Sequence, residues 1–131
     1  MKSILIIDDE AIDCLILTKL IEKGNHAKDI VSFNSPILAL DHIKKLINTN
    51  EKFPTHIFVD INMPGGMNGF KFIEEYLNVS EDKHTDTKVY VLSSSTNPED
   101  RKKAISIPSV SEYLVKPITI EKIKQILEFN A

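Results

Sequence analysis

Polar side chains follow several short apolar runs of this sequence, where they could be held rigidly and still be reached from solvent. A short, uninterrupted apolar run is typical of a strand that is buried on both faces. The run 57–59 stops at Asp60, and a polar loop rich in Pro and Gly follows it. The residues that stand directly after such runs are Asp8, Asp9, Asp60, Ser93 and Lys116. We interpret Asp60 as the residue at which this protein does its chemistry.

These residue types suit a phosphoryl group bound beside a divalent cation. Three carboxylates in one crevice repel one another, which raises the pKa of at least one of them unless a cation is present. Mg²⁺ fits such a site because it takes oxygen ligands and often binds one or two carboxylates together with phosphate oxygens. A phosphoryl group on Asp60 would accept a hydrogen bond from Ser93 and a charge-assisted bond from Lys116. A carboxylate nucleophile that forms an aspartyl phosphate is established chemistry.

The remaining sequence predicts elements that would bring these residues together. Short apolar segments predict strands at 3–7, 30–33, 56–59, 89–92 and 111–115. Helices are predicted between and after them, with N-caps at Ser35-Pro36 and Asn97-Pro98. Strict alternation of strands and helices predicts a doubly wound α/β fold with a parallel five-stranded sheet and five helices on its two faces. Ligands bind outside the carboxyl ends of the strands in such sheets, so the polar residues are expected to share one edge.

Helical spacing of apolar residues predicts which face of each helix meets the sheet. The fourth helix is only weakly apolar, so we expect it to be the element most easily displaced. The apolar residues that indicate these faces in the first three helices are, in order, Ile12, Leu15, Ile16 and Leu20; Ile37, Leu40, Ile43 and Ile47; and Phe70, Ile73 and Leu77. The fourth helix has only Ala104, Ile105 and Ile107 as apolar residues, and the fifth has Ile120, Ile123, Ile126 and Leu127 on its core side.

Composition narrows the class of protein. The 131 residues are 42% hydrophobic and 27% charged, which predicts one globular domain over residues 1–131. The net charge of −3 and the single arginine, Arg101, argue against direct nucleic-acid binding. No membrane span or signal peptide is predicted, so we expect a cytoplasmic protein. Cys14 is the only cysteine, which excludes an intrachain disulfide, and the four histidines are expected in loops or at the surface.

The order and spacing of these motifs resemble the receiver domain of two-component response regulators over essentially the whole chain. The matching motifs are Asp8-Asp9, Asp60 with Met63-Pro64, Ser93, Tyr113 and Lys116-Pro117. The resemblance implies a flavodoxin-like sheet with strand order 2-1-3-4-5. It also implies a cis Lys116-Pro117 peptide bond, since the cis form costs little free energy only when the bond precedes proline.

The resemblance also implies a role for each site residue. Asp60 is expected to be the phosphoacceptor, assisted by Lys116 and Ser93. Mg²⁺ is expected at Asp8, Asp9, Asp60 and the backbone carbonyl of Asn62. Ser93 and Tyr113 are expected to form a switch in which Tyr113 moves from exposed to buried, and Asn62 and Ser95 are expected to tune hydrolysis of the acyl phosphate.

Partners follow from the same resemblance. The phosphodonor is expected to be a histidine kinase or a histidine phosphotransfer protein, and the output a downstream target protein. No output domain is predicted, so we expect a stand-alone receiver that is a monomer or a weak dimer through the fourth helix, fifth strand and fifth helix. Apart from its own phosphorylation and slow dephosphorylation, we expect no enzymatic activity.

The sequence departs from the family pattern mainly after Asp60, where Gly65-Gly66 indicates a one-residue insertion. Three other interpretations were weighed. An Asp-nucleophile phosphatase would need a second acid at position 62, which is Asn62. A flavin- or nucleotide-binding protein would need a glycine-rich loop after the first strand, where this sequence has Asp8-Asp9 instead. The alternative most similar to the favoured interpretation is a degenerate receiver, which is not phosphorylated and serves only as a scaffold for other proteins.

Overall fold

The computed structural model describes residues 2–24, 27–49, 51, 53–63, 67–80 and 86–129. Strands and helices alternate along them: β1 (Lys2–Ile7), α1 (Ala11–Lys23), β2 (Ala27–Phe33), α2 (Pro36–Thr49), β3 (His56–Asp60), α3 (Gly69–Ser80), β4 (Lys88–Ser93), α4 (Pro98–Ile105), β5 (Val110–Val115) and α5 (Ile120–Phe129). Among the described residues, no helix is both long and apolar enough to cross a membrane.

The strands form one parallel sheet in the order β2-β1-β3-β4-β5. The predicted fold class and strand order are therefore confirmed. Strand bounds agree closely with the prediction, except that β2 begins at Ala27 rather than at Ile30. The bond between Lys116 and Pro117 is cis, as the resemblance implied.

Two apolar layers hold the helices on the sheet. Successive strand residues point to opposite faces, so neighbours such as Leu5 and Ile6 contribute to different layers. The layer that contains Leu5, Ile57 and Val89 packs against α2, α3 and α4. The layer that contains Ile6 and the other faces of the strands packs against α1 and α5. A three-layer arrangement results, with every central strand covered on both faces.

Most of the apolar stripe predicted for α1 does not face the core, and of its four residues Leu20 alone packs against the core, partly buried. Ile12, Leu15 and Ile16 are 72%, 56% and 50% exposed, whereas Leu17 and Ile21 are buried against the sheet. The helix carries apolar residues around much of its circumference, and helical spacing favours the stripe with more of them, which is the exposed one. Packing on β1 selected the other stripe, because the direction from which the chain leaves β1 fixes the rotation of the helix.

Similar corrections apply to α2 and α3. Ile37 and Leu77 were assigned to the core but are 54% and 37% exposed. The buried residues of α2 are Pro36, Ala39, Leu40, Ile43 and Leu46, and those of α3 are Gly69, Phe72, Ile73, Tyr76 and Ser80. Phe70 is only partly buried and packs at the edge of the core. Leu40, Ile43 and Ile73 are buried as predicted, so the buried face of each of these two helices overlaps the predicted one but is shifted by less than one residue, or 100°.

The fourth helix is held by little apolar contact. Within α4 only Ala104 is buried, and Ile105, one of the few apolar residues of this helix, is 54% exposed. The predicted N-cap is present, since the Asn97 side chain accepts a hydrogen bond from the backbone N–H of Glu99 at 3.0 Å. The cap fixes where α4 begins, and the weak apolar contact leaves the rest of the helix easy to displace.

Candidate functional site

The carboxyl ends of the strands bring together the predicted site residues. In the parallel register, Ile7 pairs with Val59, Asp60 with Leu92, and Ser93 with Val115. Asp8 follows β1, Asp60 ends β3, Ser93 ends β4 and Lys116 follows β5. The backbone N–H of Lys116 donates to the carbonyl oxygen of Ser93 at 2.8 Å, which ties the last two strand ends together.

Three carboxylates form one cluster at this edge. One oxygen from each of Asp8, Asp9 and Asp60 lies within 4.8 Å of the others. The Asp8 and Asp60 side chains are 2% and 4% exposed. Oδ1 of Asp9 is buried and has no hydrogen-bond partner within the described ranges. A buried carboxylate oxygen without a donor is costly, and a hard divalent cation satisfies it, so these residues fit a Mg²⁺ site.

Lys116 bridges the cluster and a neighbouring acid. Its Nζ lies 2.9 Å from Oδ2 of Asp8, 3.3 Å from Oδ2 of Asp60 and 3.0 Å from Oδ2 of Asp13. Burial by itself lowers the pKa of the Lys116 ammonium, but the bonds to Asp8 and Asp13 and the charge of Asp60 more than offset it, so that pKa lies above its ordinary value. Lys116 therefore stays charged throughout the physiological range.

Burial shifts the pKa of the Asp8 carboxyl. Burial raises the pKa of the Asp8 carboxyl to about 6, although Lys116 and the backbone N–H of Glu10 lower it. The charge of Asp60 raises it further. The expected perturbation of at least one carboxylate is thus present, and desolvation is its main cause rather than like-charge repulsion.

A chain of hydrogen bonds leads away from Asp60. Oδ1 of Asp60 accepts from the backbone N–H of Asn62 at 2.9 Å, and the Asn62 side-chain amide donates to Oγ of Ser93 at 3.0 Å. The backbone N–H of Ser95 donates to the same Oγ at 2.9 Å, while the Tyr113 hydroxyl donates to the carbonyl oxygen of Ser95 at 2.8 Å. Asp60 and Tyr113 are therefore joined through Ser93, which is fully buried.

Tyr113 points into the protein. Tyr113 is 5% exposed, and its hydroxyl donates a hydrogen bond to backbone rather than lying at the surface. The conformation described is thus the inward one, rather than the exposed starting point that the resemblance implied. The sequence shows an aromatic residue at this position, but its direction depends on the β4–α4 loop that supplies the acceptor.

The beginning of α3 lies in close contact with the end of β3. A Cβ at Gly69 would lie 2.4 Å from the carbonyl oxygen of Asp60 and 2.7 Å from Cα of Ile61, so only glycine allows α3 to begin there. Ile61 and Met63 are buried and anchor the loop after Asp60. The inserted glycine at Gly65-Gly66 lies outside the described residues.

Sequence reasoning missed Asp13 and the burial of His56. Asp13 was not singled out because it lies inside a helix rather than at a strand end. His56 was expected in a loop or at the surface, but it is 2% exposed. Its Nδ1 lies 2.8 Å from Oγ1 of Thr55, and its ring stacks on Tyr90. Its place as first residue of an apolar strand was the available signal for burial.

The fold and site define a flavodoxin-like α/β protein with an acidic crevice at the carboxyl edge of its sheet. The sequence matches the family described as the response regulator receiver domain over residues 4–128, and the chain belongs to this family. Receiver domains of two-component systems accept a phosphoryl group on an aspartate, bind Mg²⁺ in an acidic pocket, and interact with histidine kinases or phosphotransfer proteins. They are signalling domains rather than enzymes in the usual sense.

Solved structures share this fold over nearly the whole chain. A two-component response regulator from Cytophaga hutchinsonii is 29% identical, with 98% of this chain and 95% of that chain covered and a TM-score of 0.86. A response regulator receiver protein from Dyadobacter fermentans is 26% identical, with 98% and 96% covered and a TM-score of 0.81. The receiver domain of the histidine kinase CKI1 from Arabidopsis thaliana, complexed with Mg²⁺ and BeF₃⁻, is 20% identical, with 95% and 89% covered and a TM-score of 0.78. No curated protein sequence matches the chain.

Proposed function

We propose that this chain accepts a phosphoryl group on Asp60 from a phosphohistidine of a histidine kinase or histidine phosphotransfer protein. The observation that carries the proposal is the contact of the buried Asp60 carboxylate with Lys116, 3.3 Å away, inside a cluster of acids. An acceptor needs a fixed carboxylate, and the hydrogen bond from the backbone N–H of Asn62 fixes Asp60. The product is an aspartyl phosphate in a phosphorelay signalling system, which we place in the cytoplasm.

The transfer conserves charge and atoms as follows. A carboxylate oxygen of Asp60 forms a bond to phosphorus, and the P–N bond to the donor histidine breaks, with its electron pair returning to the imidazole nitrogen. Lys116 donates a charge-assisted hydrogen bond to the new phosphoryl oxygens. Ser93 supplies a neutral hydrogen bond once its hydroxyl turns away from Asn62. The orientation that these donors provide is the main contribution of the protein, since phosphoryl transfer depends on positioning and charge stabilisation.

Asp8, Asp9 and Asp60, with the backbone carbonyl of Asn62, are the residues that would hold Mg²⁺. The ion, when bound, supplies neutralisation of the charge that develops during transfer. Asn62 and Ser95 flank the phosphoryl position and would tune its hydrolysis. Asn62 is exposed, and its side-chain amide donates to Ser93 within the site, so this amide would be able to order or exclude an attacking water.

Phosphorylation would be reported through Ser93 and Tyr113. The Ser93 hydroxyl accepts from both Asn62 and Ser95, so a phosphoryl group that draws this hydroxyl toward Asp60 would also shift the Ser95 backbone that is bonded to it. The Ser95 carbonyl that holds Tyr113 belongs to the same loop, and the weakly packed α4 follows it. The surface formed by α4, β5 and α5 is then the region whose conformation, and whose affinity for a target protein, depends on the state of Asp60.

The test is phosphorylation by a small-molecule donor. Incubation with MgCl₂ and acetyl phosphate should add the mass of one phosphoryl group to the wild-type chain, and the adduct should be labile to base. The Asp60→Asn variant should show no adduct under the same conditions. An unmodified wild type, or an adduct that survives in Asp60→Asn, would overturn the assignment of Asp60.

A scaffold function is the other candidate, and the binding of a target distinguishes it. A switch predicts that a captured target protein binds the beryllofluoride-treated chain and the untreated chain with different affinities. Equal binding in both states, measured beside Asp60→Asn, would favour a scaffold whose acceptor site does not control its partners.

A further inference from the structure

Asp13 is a fourth carboxylate at the site. It lies on helix α1, whereas Asp8 and Asp9 follow strand β1 and Asp60 ends strand β3. Asp13 lies in the first turn of α1, and its Oδ2 is 3.0 Å from Nζ of Lys116. Lys116 thus has three carboxylate partners: Asp8 after β1, Asp60 at the end of β3, and Asp13 on the helix. The Lys116 side chain is only 14% exposed, so little of it is left in contact with water.

Of the three carboxylates that contact Lys116, Asp13 is the one for which a cation in the cluster would not compete. Asp8 and Asp60 belong to the carboxylate cluster that fits a divalent cation, whereas Asp13 is not part of that cluster. A cation in the cluster therefore competes with Lys116 for Asp8 and Asp60, and it leaves the bond between Lys116 and Asp13 intact. Asp13 is also 41% exposed, which makes its attraction for Lys116 weaker than that of a buried acid.

The surroundings of the pair keep Lys116 near α1. A crevice beside the pair is walled mainly by apolar side chains. These are Ile16, Leu17, Leu20, Leu92, Pro117 and Ile118. Among the described residues that line this crevice, Asp8 and Asp13 are the only carboxylates, so Asp13 is the side-chain acceptor that α1 provides for Lys116.

We propose that Asp13 is a positioning residue for Lys116: it holds the ammonium group when Mg²⁺ takes Asp8 and Asp60, and it gives up that group when a phosphoryl anion forms on Asp60. The proposal rests on the proposed function, because it assumes that Mg²⁺ and a phosphoryl group occupy this crevice. Asp13 touches neither of them. It acts through Lys116. Its attraction for the ammonium group is strong enough to hold Lys116 when Mg²⁺ is bound, and weak enough to release it to a phosphoryl group on Asp60.

Removal of the Asp13 charge should change the two affinities in opposite directions. In Asp13→Asn, Lys116 loses its alternative partner and stays at Asp8 and Asp60, so Mg²⁺ should bind roughly threefold to fivefold more weakly, on the scale of a half-exposed ion pair. At saturating Mg²⁺, the same variant should bind beryllofluoride roughly threefold to fivefold more tightly, because Lys116 no longer has to leave Asp13. Calorimetric titration with MgCl₂, and then with beryllofluoride, measures both constants.

The opposite signs separate positioning from a structural role. A loosened site would bind both ligands more weakly, and that result would overturn the proposal. Asp13→Glu keeps the carboxylate and should restore both constants toward wild type. Glu10→Gln is the matched control, since it removes another exposed acid next to the same helix start and should change either constant less than Asp13→Asn does.

A second background separates action through Lys116 from a general change in charge. In Lys116→Gln, the Asp13→Asn substitution should change the Mg²⁺ affinity less than half as much as it does in the wild type. A full-sized change in that background would mean that Asp13 acts on the cation directly, and would overturn the proposal.

Failure of this proposal is distinguishable from failure of the proposed function. If the wild type is phosphorylated on Asp60 by acetyl phosphate while Asp13→Asn leaves both affinities unchanged, the positioning role is wrong and the acceptor role stands. If the wild type takes up no phosphoryl group and binds no beryllofluoride, the proposed function itself is wrong.

Discussion

Lys116 and Asp13 show how one residue beyond the motif changes the chemistry of a site. The strand-end residues account for an acidic crevice and one ammonium group, which together suit Mg²⁺ and a phosphoryl group. The added carboxylate on α1 gives Lys116 a third partner, at 3.0 Å, that the cation site does not use. The position of the lysine is therefore set by a competition among acids and not by Asp60 alone.

His56 provides a residue-scale prediction about pH. Burial, with smaller contributions from the charges of Lys2 and Lys88, lowers the pKa of His56 to about 4 in the folded chain, from an ordinary value of 6.5. The unfolded chain binds more protons between these values, so the free energy of unfolding should fall as the pH drops from about 6.5 to about 4. The loss reaches at most about 3 kcal/mol.

Urea unfolding of the wild type and His56→Gln across this pH range, without Mg²⁺, measures the effect. Asp8 has a raised pKa and contributes the opposite slope between its ordinary value of 3.8 and about 6, so the difference between the two proteins isolates His56. The wild type should lose more stability on acidification than His56→Gln does. Parallel curves for the two proteins would contradict the prediction.

At the scale of elements, α1 tests whether the corrected helix face is the one that stabilises the fold. Leu17→Ala should cost about 2–5 kcal/mol of unfolding free energy, because Leu17 is 4% exposed and its removal leaves a cavity. Leu15→Ala should change stability by no more than about 0.5 kcal/mol, because Leu15 is 56% exposed. Denaturant unfolding of this matched pair decides between the faces, and similar losses for both would contradict the assignment.

The beginning of α3 gives a second prediction about an element. Gly69→Ala places a Cβ 2.4 Å from the Asp60 carbonyl oxygen, so either α3 or Asp60 must move. We expect a loss of roughly 1–3 kcal/mol in unfolding free energy and slower phosphorylation by acetyl phosphate. Gly24→Ala is the control, because Gly24 has a φ of −81°, which alanine adopts freely. Equal behaviour of the two variants would show that the close approach at Gly69 does not constrain the site.

For the whole molecule, the chain of hydrogen bonds from Asp60 to Tyr113 predicts which residues change their amide exchange when a phosphoryl mimic binds. Beryllofluoride with Mg²⁺ draws the Ser93 hydroxyl toward Asp60 and orders the loop that leads to α4. Amide exchange in 94–105 should therefore slow by roughly threefold to tenfold, the range of a coupling free energy of about 1 kcal/mol. Exchange in α2, on the same face of the sheet but anchored by five buried residues, should stay unchanged.

Hydrogen-exchange mass spectrometry with Asp60→Asn as the control measures this response. The variant should show no change in 94–105 when beryllofluoride is added. A change spread evenly over the chain, or one confined to the residues around Asp60, would contradict a path through Ser93 and Tyr113.

Most of the fold was available from the sequence. Alternating apolar runs and helical segments predict a parallel sheet, and parallel strands place all their carboxyl ends at one edge. That topology alone groups Asp8, Asp60, Ser93 and Lys116, whatever the details of packing. The caps at Ser35 and Asn97 were also predictable, because capping depends on residues next to one another in the chain.

Only the tertiary structure decided the buried faces of α1, α2 and α3, the inward direction of Tyr113, and the contact between Asp13 and Lys116. A periodic pattern gives the set of apolar positions on a helix but not its rotation about its axis, which depends on packing against the sheet and on the direction of the loops. Whether Asp13 reaches Lys116, 103 residues further on, depends on that rotation. The chemistry at strand ends thus follows from chain order, whereas the chemistry contributed by a helix follows from how that helix packs.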